Sequence, residues 1–125
     1  MLLNYQHKSR ITFSLILVGD RSLLTQVGRI PQLDERLAVK SMLQPLSREE
    51  TDRYVAHRLQ VSGITEPIFD ESAMDELFEL SGGVPRKINR ICDLALLVGY
   101  ADGMTVFSGS QVEAVSEELV GVVPA

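Results

Sequence analysis

The sequence predicts an α/β chain dominated by helices, in which two short strands of the parallel-sheet type precede four helices. Three observations predict it. Thr12-Phe13-Ser14-Leu15-Ile16-Leu17-Val18 is a continuous apolar run rich in strand formers, the pattern of a strand covered on both faces. From Ser47 onward, apolar residues recur at spacings of three and four between start and stop signals, the pattern of amphipathic helices. The chain has 125 residues, 45% of them hydrophobic, enough for one core but short for two full domains.

Each element follows in order. Gly19-Asp20 stops the first run and turns into a short helical pattern, Arg21 to Val27, that Gly28 can end. Pro31 restarts the chain, Gln32 to Leu37 make a turn or two of helix, and Ala38-Val39-Lys40-Ser41-Met42-Leu43 is the second, weaker strand candidate. Pro45 closes it. Ser47-Arg48-Glu49-Glu50 then reads as a capping box, Ser47 at the N-cap and Glu50 reaching back. The helix it starts turns Tyr54, Val55 and Leu59 inward and ends near Gly63. Asp70 caps the next helix, with Ala73, Met74, Leu77 and Phe78 on one face and Ser81-Gly82-Gly83 as its stop. After the helix that follows, Asp102-Gly103 turns, Met104 to Phe107 is briefly extended, and Ser108 or Ser110 caps a last helix carrying Val112, Val115 and Leu119. Residues 121–125 are expected as a disordered tail.

The stretch Ser81-Gly82-Gly83-Val84-Pro85-Arg86-Lys87-Ile88-Asn89-Arg90 is the most informative. Two glycines let the backbone turn, and Pro85 suits a first helical residue, whose N–H has no partner within the helix. Behind it, Ile88, Ile91, Cys92, Ala95 and Leu96 form one apolar stripe, with Arg86, Asn89, Arg90 and Asp93 opposite. Arg86 therefore projects outward from a first turn. There a guanidinium can offer a phosphate two parallel donors, with the positive end of the helix beside it. The plainer alternative is a solvated arginine on a surface helix.

Net charge is -5 with pI near 5.0, which argues against nonspecific attraction to nucleic acid or anionic lipid. The charge is uneven. Glu66, Asp70, Glu71, Asp75, Glu76 and Glu79 run without a Lys or Arg among them, and Arg86, Lys87 and Arg90 follow. Such blocks are usually solvated faces. Cys92, the single cysteine, falls on the apolar stripe and reads as a small buried hydrophobe in a reducing compartment. His7 and His57 lack neighbouring ligands, so no metal site is expected. No apolar run reaches membrane-spanning length and no export signal is evident.

Taken in order, the strand ending LILVGD, the short helix, QLDERL, the second strand, PLSREETDRYVAHRL and SGGVPRKINRICDLAL resemble the C-terminal half of AAA+ ATPases of the ExeA/GspA type. These include ATPases associated with general secretion, pilus and exopolysaccharide systems. The resemblance runs from about Leu2 to Leu119. It implies that residues 1–46 are the C-terminal part of the nucleotide-binding core, with the last two parallel strands of a P-loop NTPase sheet. Residues 47–120 would be the four-helix lid. It also implies that Arg86 is the sensor 2 residue reaching the γ-phosphate of ATP, with Gly83 and Pro85 shaping its turn. Asp20 falls at the sensor 1 position, where the family commonly has Gln; the alternative is a turn former or helix cap. Arg36 matches the arginine that can act in trans as an arginine finger, which can raise a rate ~10³-fold or more. Arg29 is a weaker candidate. For both, the alternative is an ion pair with Asp34 or Glu35.

The chain contains no Gly-Lys pair, hence no G-x-x-x-x-G-K-[ST] loop, and no strand ending in Asp-Glu. ATP and Mg²⁺ would belong to an intact parent with those motifs upstream, and this chain alone, read as a fragment, would neither hydrolyse ATP nor bind it tightly. The resemblance further implies a cytoplasmic ATPase module that forms rings and works on an inner-membrane secretion or pilus assembly protein. An unfinished sheet would also invite a dimer through its unpaired strand edge. The competing expectation is a nonenzymatic protein- or DNA-binding module using Arg86, Lys87 and Arg90, which the negative net charge opposes.

Overall fold

The structure, a computed structural model, describes residues 13–122, with side chains to Leu119. Thr12 of the first apolar run and residues 123–125 of the expected tail lie outside the described residues. The chain divides into two units, Met1–Leu43 and Gln44–Ala125, each taken by itself below.

The described part of the first unit contains two short helices. The Asp20 carboxylate accepts from the Ser22 N–H at 2.9 Å and the Ser22 hydroxyl at 2.5 Å, satisfying an amide that a starting helix leaves open. Helix α1, Ser22–Gly28, follows, and helix α2, Pro31–Asp34, opens on Pro31. Asp34 then pairs with Lys40.

The two expected strands do not form. Residues 13–18 and 38–43 have no sheet pairing, and Ile16, Val18, Val39 and Leu43 are 82, 89, 81 and 93% exposed. A helix closes its hydrogen bonds within its own segment, whereas a strand needs neighbours for its N–H and C=O groups and a layer over its face. The described residues supply neither, so the α/β expectation is corrected: the described chain is helical, with one isolated parallel bridge, Phe69 to Phe107. The expected dimer through a sheet edge rested on those strands and loses its basis with them.

The second unit is built from helices α3, Arg48–Val61, α4, Glu71–Ser81, α5, Pro85–Asp102, and α6, Gly109–Val122. The capping box at α3 is complete: Ser47 Oγ accepts from Glu50 N–H at 3.2 Å, and Glu50 Oε2 accepts from Ser47 N–H at 2.8 Å. Asp70 caps α4 by accepting from Ala73 N–H at 2.8 Å. At α6 the Gln111 side chain reaches back to the Ser108 N–H at 2.8 Å. The last helix continues to Val122, beyond the point where the sequence expected a tail.

Helix α4 packs against α6, α5 and α3. Their shared core contains Val55, Ala73, Leu77, Ile88, Ile91, Ala95, Val112 and Val115. Phe69 and Phe107 join it with ring centroids 5.5 Å apart, and the bridge between their backbones ties the segment before α4 to the segment before α6. Gly99 is required beneath Phe107, since a Cβ there would lie 2.2 Å from the ring. Among the described residues, no helix is long and apolar enough to cross a membrane.

Candidate functional site at the start of helix α5

The turn between α4 and α5 is shaped by its two glycines for different reasons. Gly82 ends α4 in the left-handed conformation, φ 60°, its N–H donating to Phe78 O at 2.8 Å, the usual glycine cap. Gly83 also has positive φ, 75°, and its carbonyl accepts from Leu46 N–H at 2.8 Å. A Cβ on Gly83 would fall 1.9 Å from the Leu46 carbonyl oxygen. Contact between backbones at that range excludes any side chain. The Gly83 N–H donates to the buried Ser81 hydroxyl at 3.2 Å, and Val84 N–H donates to Ser81 O at 3.2 Å. Every link of the turn is therefore fixed, and Pro85 enters the helix at its first position.

Leu46 immediately precedes the Ser47 cap, so the Gly83 contact holds the starts of α3 and α5 side by side. One turn further along α5, the Tyr54 hydroxyl of α3 donates to Asn89 Oδ1 at 2.8 Å. The two contacts set both the position and the rotation of the first turn of α5. Ile88 is turned into the core at 1% exposure, which places Arg86, two residues earlier, outside. Arg86 and Lys87 are exposed, and neither side chain has a hydrogen bond or ion pair among the described residues. The first turn contains no acidic residue. The result is an unneutralised positive helix end carrying a guanidinium, chemistry that attracts an anion.

Gly83, Pro85 and Arg86 are near neighbours in sequence and share this turn. Asp20 and Arg36 both lie in the first unit. The Asp20 carboxylate is engaged by Ser22, whose hydroxyl and amide bonds hold its pKa below the ordinary value. Arg36 is exposed in the turn after α2, its N–H donating to Leu33 O at 3.1 Å. Asp34, in the same turn region, pairs with Lys40.

Sequence reasoning missed Arg48. It pairs with Asp52 one turn along α3 and with Asp75 of α4, at 2.9 Å from Nε and 2.8 Å from an Nη. The first partner could have been found from the i,i+4 spacing; no local signal points to Asp75. Cys92 is set apart from reactive chemistry, because burial and then Asp93 push its thiol up to about 12. Among the described residues, no three His, Cys, Asp or Glu side chains are grouped to hold a cation.

Compared with known proteins, the chain is similar to general secretion pathway protein A of Aeromonas hydrophila, 36% identical over 125 residues. The match covers 98% of this chain and 23% of that protein, so the chain spans about a quarter of the length of the curated relative it matches. No protein-family model and no solved structure matches the chain.

Proposed function

From the similarity to general secretion pathway protein A, we propose that this chain is the nucleotide-sensing, helical-lid portion of an AAA+ ATPase serving a secretion, pilus or export system. Residues 47–120 are the lid, and Arg86 is its sensor 2 residue, directed to the γ-phosphate of ATP. The observation that carries this reading is the start of α5. An exposed arginine stands there in a first turn without acidic residues, fixed by the Gly83 to Leu46 contact and the Tyr54 to Asn89 hydrogen bond.

The described residues fit an anion and offer no cage for a cation, so in this proposal the Mg²⁺ and the P-loop belong to a longer protein that carries this chain. The bound nucleotide supplies the transferable phosphoryl group. The chain's own contribution is positioning and charge. Arg86 would offer the γ-phosphate up to two N–H donors and stabilise the charge spread over its oxygens during phosphoryl transfer. Gly83 and Pro85 hold the turn that aims it. Arg36 serves in trans as an arginine finger in a ring of subunits, and Asp20 occupies the sensor 1 position. The partner is an envelope-assembly protein at the inner membrane, with the ATPase on the cytoplasmic side.

The test is ATP turnover in a longer protein that carries this chain and a P-loop. Arg86→Ala is expected to reduce kcat by about 10²-fold, the scale of losing one positioned donor to a developing charge. Turnover equal to that of the parent protein would remove Arg86 from the reaction.

A further inference from the structure

A groove of about 450 Å³ lies wholly within the second unit, between α3 and the segment leading from α3 to α4. Asp52, Val55, Ala56, Leu59 and Gln60 form one wall. Their spacing is i, i+3, i+4, i+7 and i+8, one continuous stripe about 12 Å long at 1.5 Å per residue. The opposite wall includes Glu66, Ile68 and Phe69, and Met74 of α4 closes the site. The volume is in the range of specific binding sites, about 300–1,000 Å³.

The charge around the groove is one-sided. Asp52 and Glu66 line it, and no Lys, Arg or His does. Arg48 is shared between Asp52 and Asp75, one cation against two carboxylates. Arg53, the next basic residue on α3, is paired with Glu49 at 3.6 Å. Glu71 lies three residues before Met74 on the same helix, hence beside it. The acidic run from Glu66 to Glu79, which the nucleotide reading leaves unused, begins at this groove.

We propose that the groove receives a segment of a partner protein that presents apolar side chains at helical spacing flanked by Lys or Arg. Val55, Ala56 and Leu59, with Ile68 and Phe69 opposite, take its hydrophobic face, and Glu66 with the surplus carboxylate at Asp52 and Asp75 takes its cations. This surface is distinct from the start of α5, and the proposal stands or falls without the nucleotide reading.

The test uses the 125-residue chain and two fluorescent amphipathic peptides, each about 12 residues long, enough for three helical turns. One carries Leu and Lys at helical spacing, and the other replaces every Lys with Glu. The Leu/Lys peptide is expected to bind at least about tenfold more tightly by fluorescence anisotropy, shifting amide resonances of Val55, Leu59 and Phe69. Ala56→Arg and Glu66→Lys alter exposed positions and should each weaken it about tenfold, with helical circular dichroism unchanged. Absence of binding, equal binding of the two peptides, or binding indifferent to both variants would overturn the proposal. So would resonance shifts confined to other surfaces, or displacement of the peptide by a second copy of the chain.

Discussion

Val27 is the one buried apolar side chain among the described residues of the first unit, while Phe13, Ile16, Val18, Ile30, Val39 and Leu43 are exposed. In the second unit, Ala73, Leu77, Ala95 and Val112 are fully buried, and the starts of α3 to α6 each have a side-chain cap or a proline. The two units have comparable apolar content in their sequences and differ in where their hydrogen bonds can close. Helices α3 to α6 satisfy their amides locally and bury their stripes on one another. The apolar segments of the first unit have the composition of strands, and a strand's stability belongs to its neighbours.

Substitutions can break this contrast, beginning where the second unit is tightest. Gly83→Ala combines a positive φ with a Cβ placed 1.9 Å from Leu46 O, and should destabilise by about 4 kcal/mol in chemical denaturation. Leu77→Ala opens a cavity at a fully buried site and should cost about 3 kcal/mol. Ser47→Ala removes one half of the α3 capping box and should cost about 1 kcal/mol. Equal and negligible effects at these three positions would mean that the second unit does not fold as one cooperative body.

The pH dependence sharpens the same comparison more gently. Hydrogen bonds from Ser72 and Ala73 hold Asp70 below its ordinary 3.8, and those from Ser47 hold Glu50 below its ordinary 4.5. A depressed folded-state pKa stabilises above the unfolded value, and that contribution fades as pH falls through the folded value. Denaturation midpoints should therefore decline below about pH 4.5, and Asp70→Asn with Glu50→Gln should flatten the decline. The smallest effect belongs to the first unit: Ile16→Thr, at a side chain 82% exposed, should change stability by no more than about 0.5 kcal/mol. A large loss there would show that residues 13–18 are buried after all.

The four helices of the second unit were legible because their signals are local. Ser47 with Glu50, Asp70 with Ala73, Gly82 as a cap and Pro85 as a first residue each act within a few positions of chain. The outward direction of Arg86 was legible for the same reason, once Ile88 and Ile91 were assigned to the core. The 13–18 and 38–43 segments misled because periodicity reports what a segment could pair with, not whether a partner is beside it. Leu46 against Gly83, Tyr54 with Asn89 and Arg48 with Asp75 stayed invisible, since each joins residues 27 or more positions apart.

In the proposed function, the start of α5 presents Arg86 to a γ-phosphate. Paired ATP and ADP affinities for Arg86→Ala, in a longer protein that carries this chain and a P-loop, are the first measurement to make. ATP binding should weaken by about tenfold or more, the scale of a charge-assisted hydrogen bond, with ADP binding unchanged. ATP and ADP affinities that both match the parent protein, or that fall together, would contradict that role for Arg86.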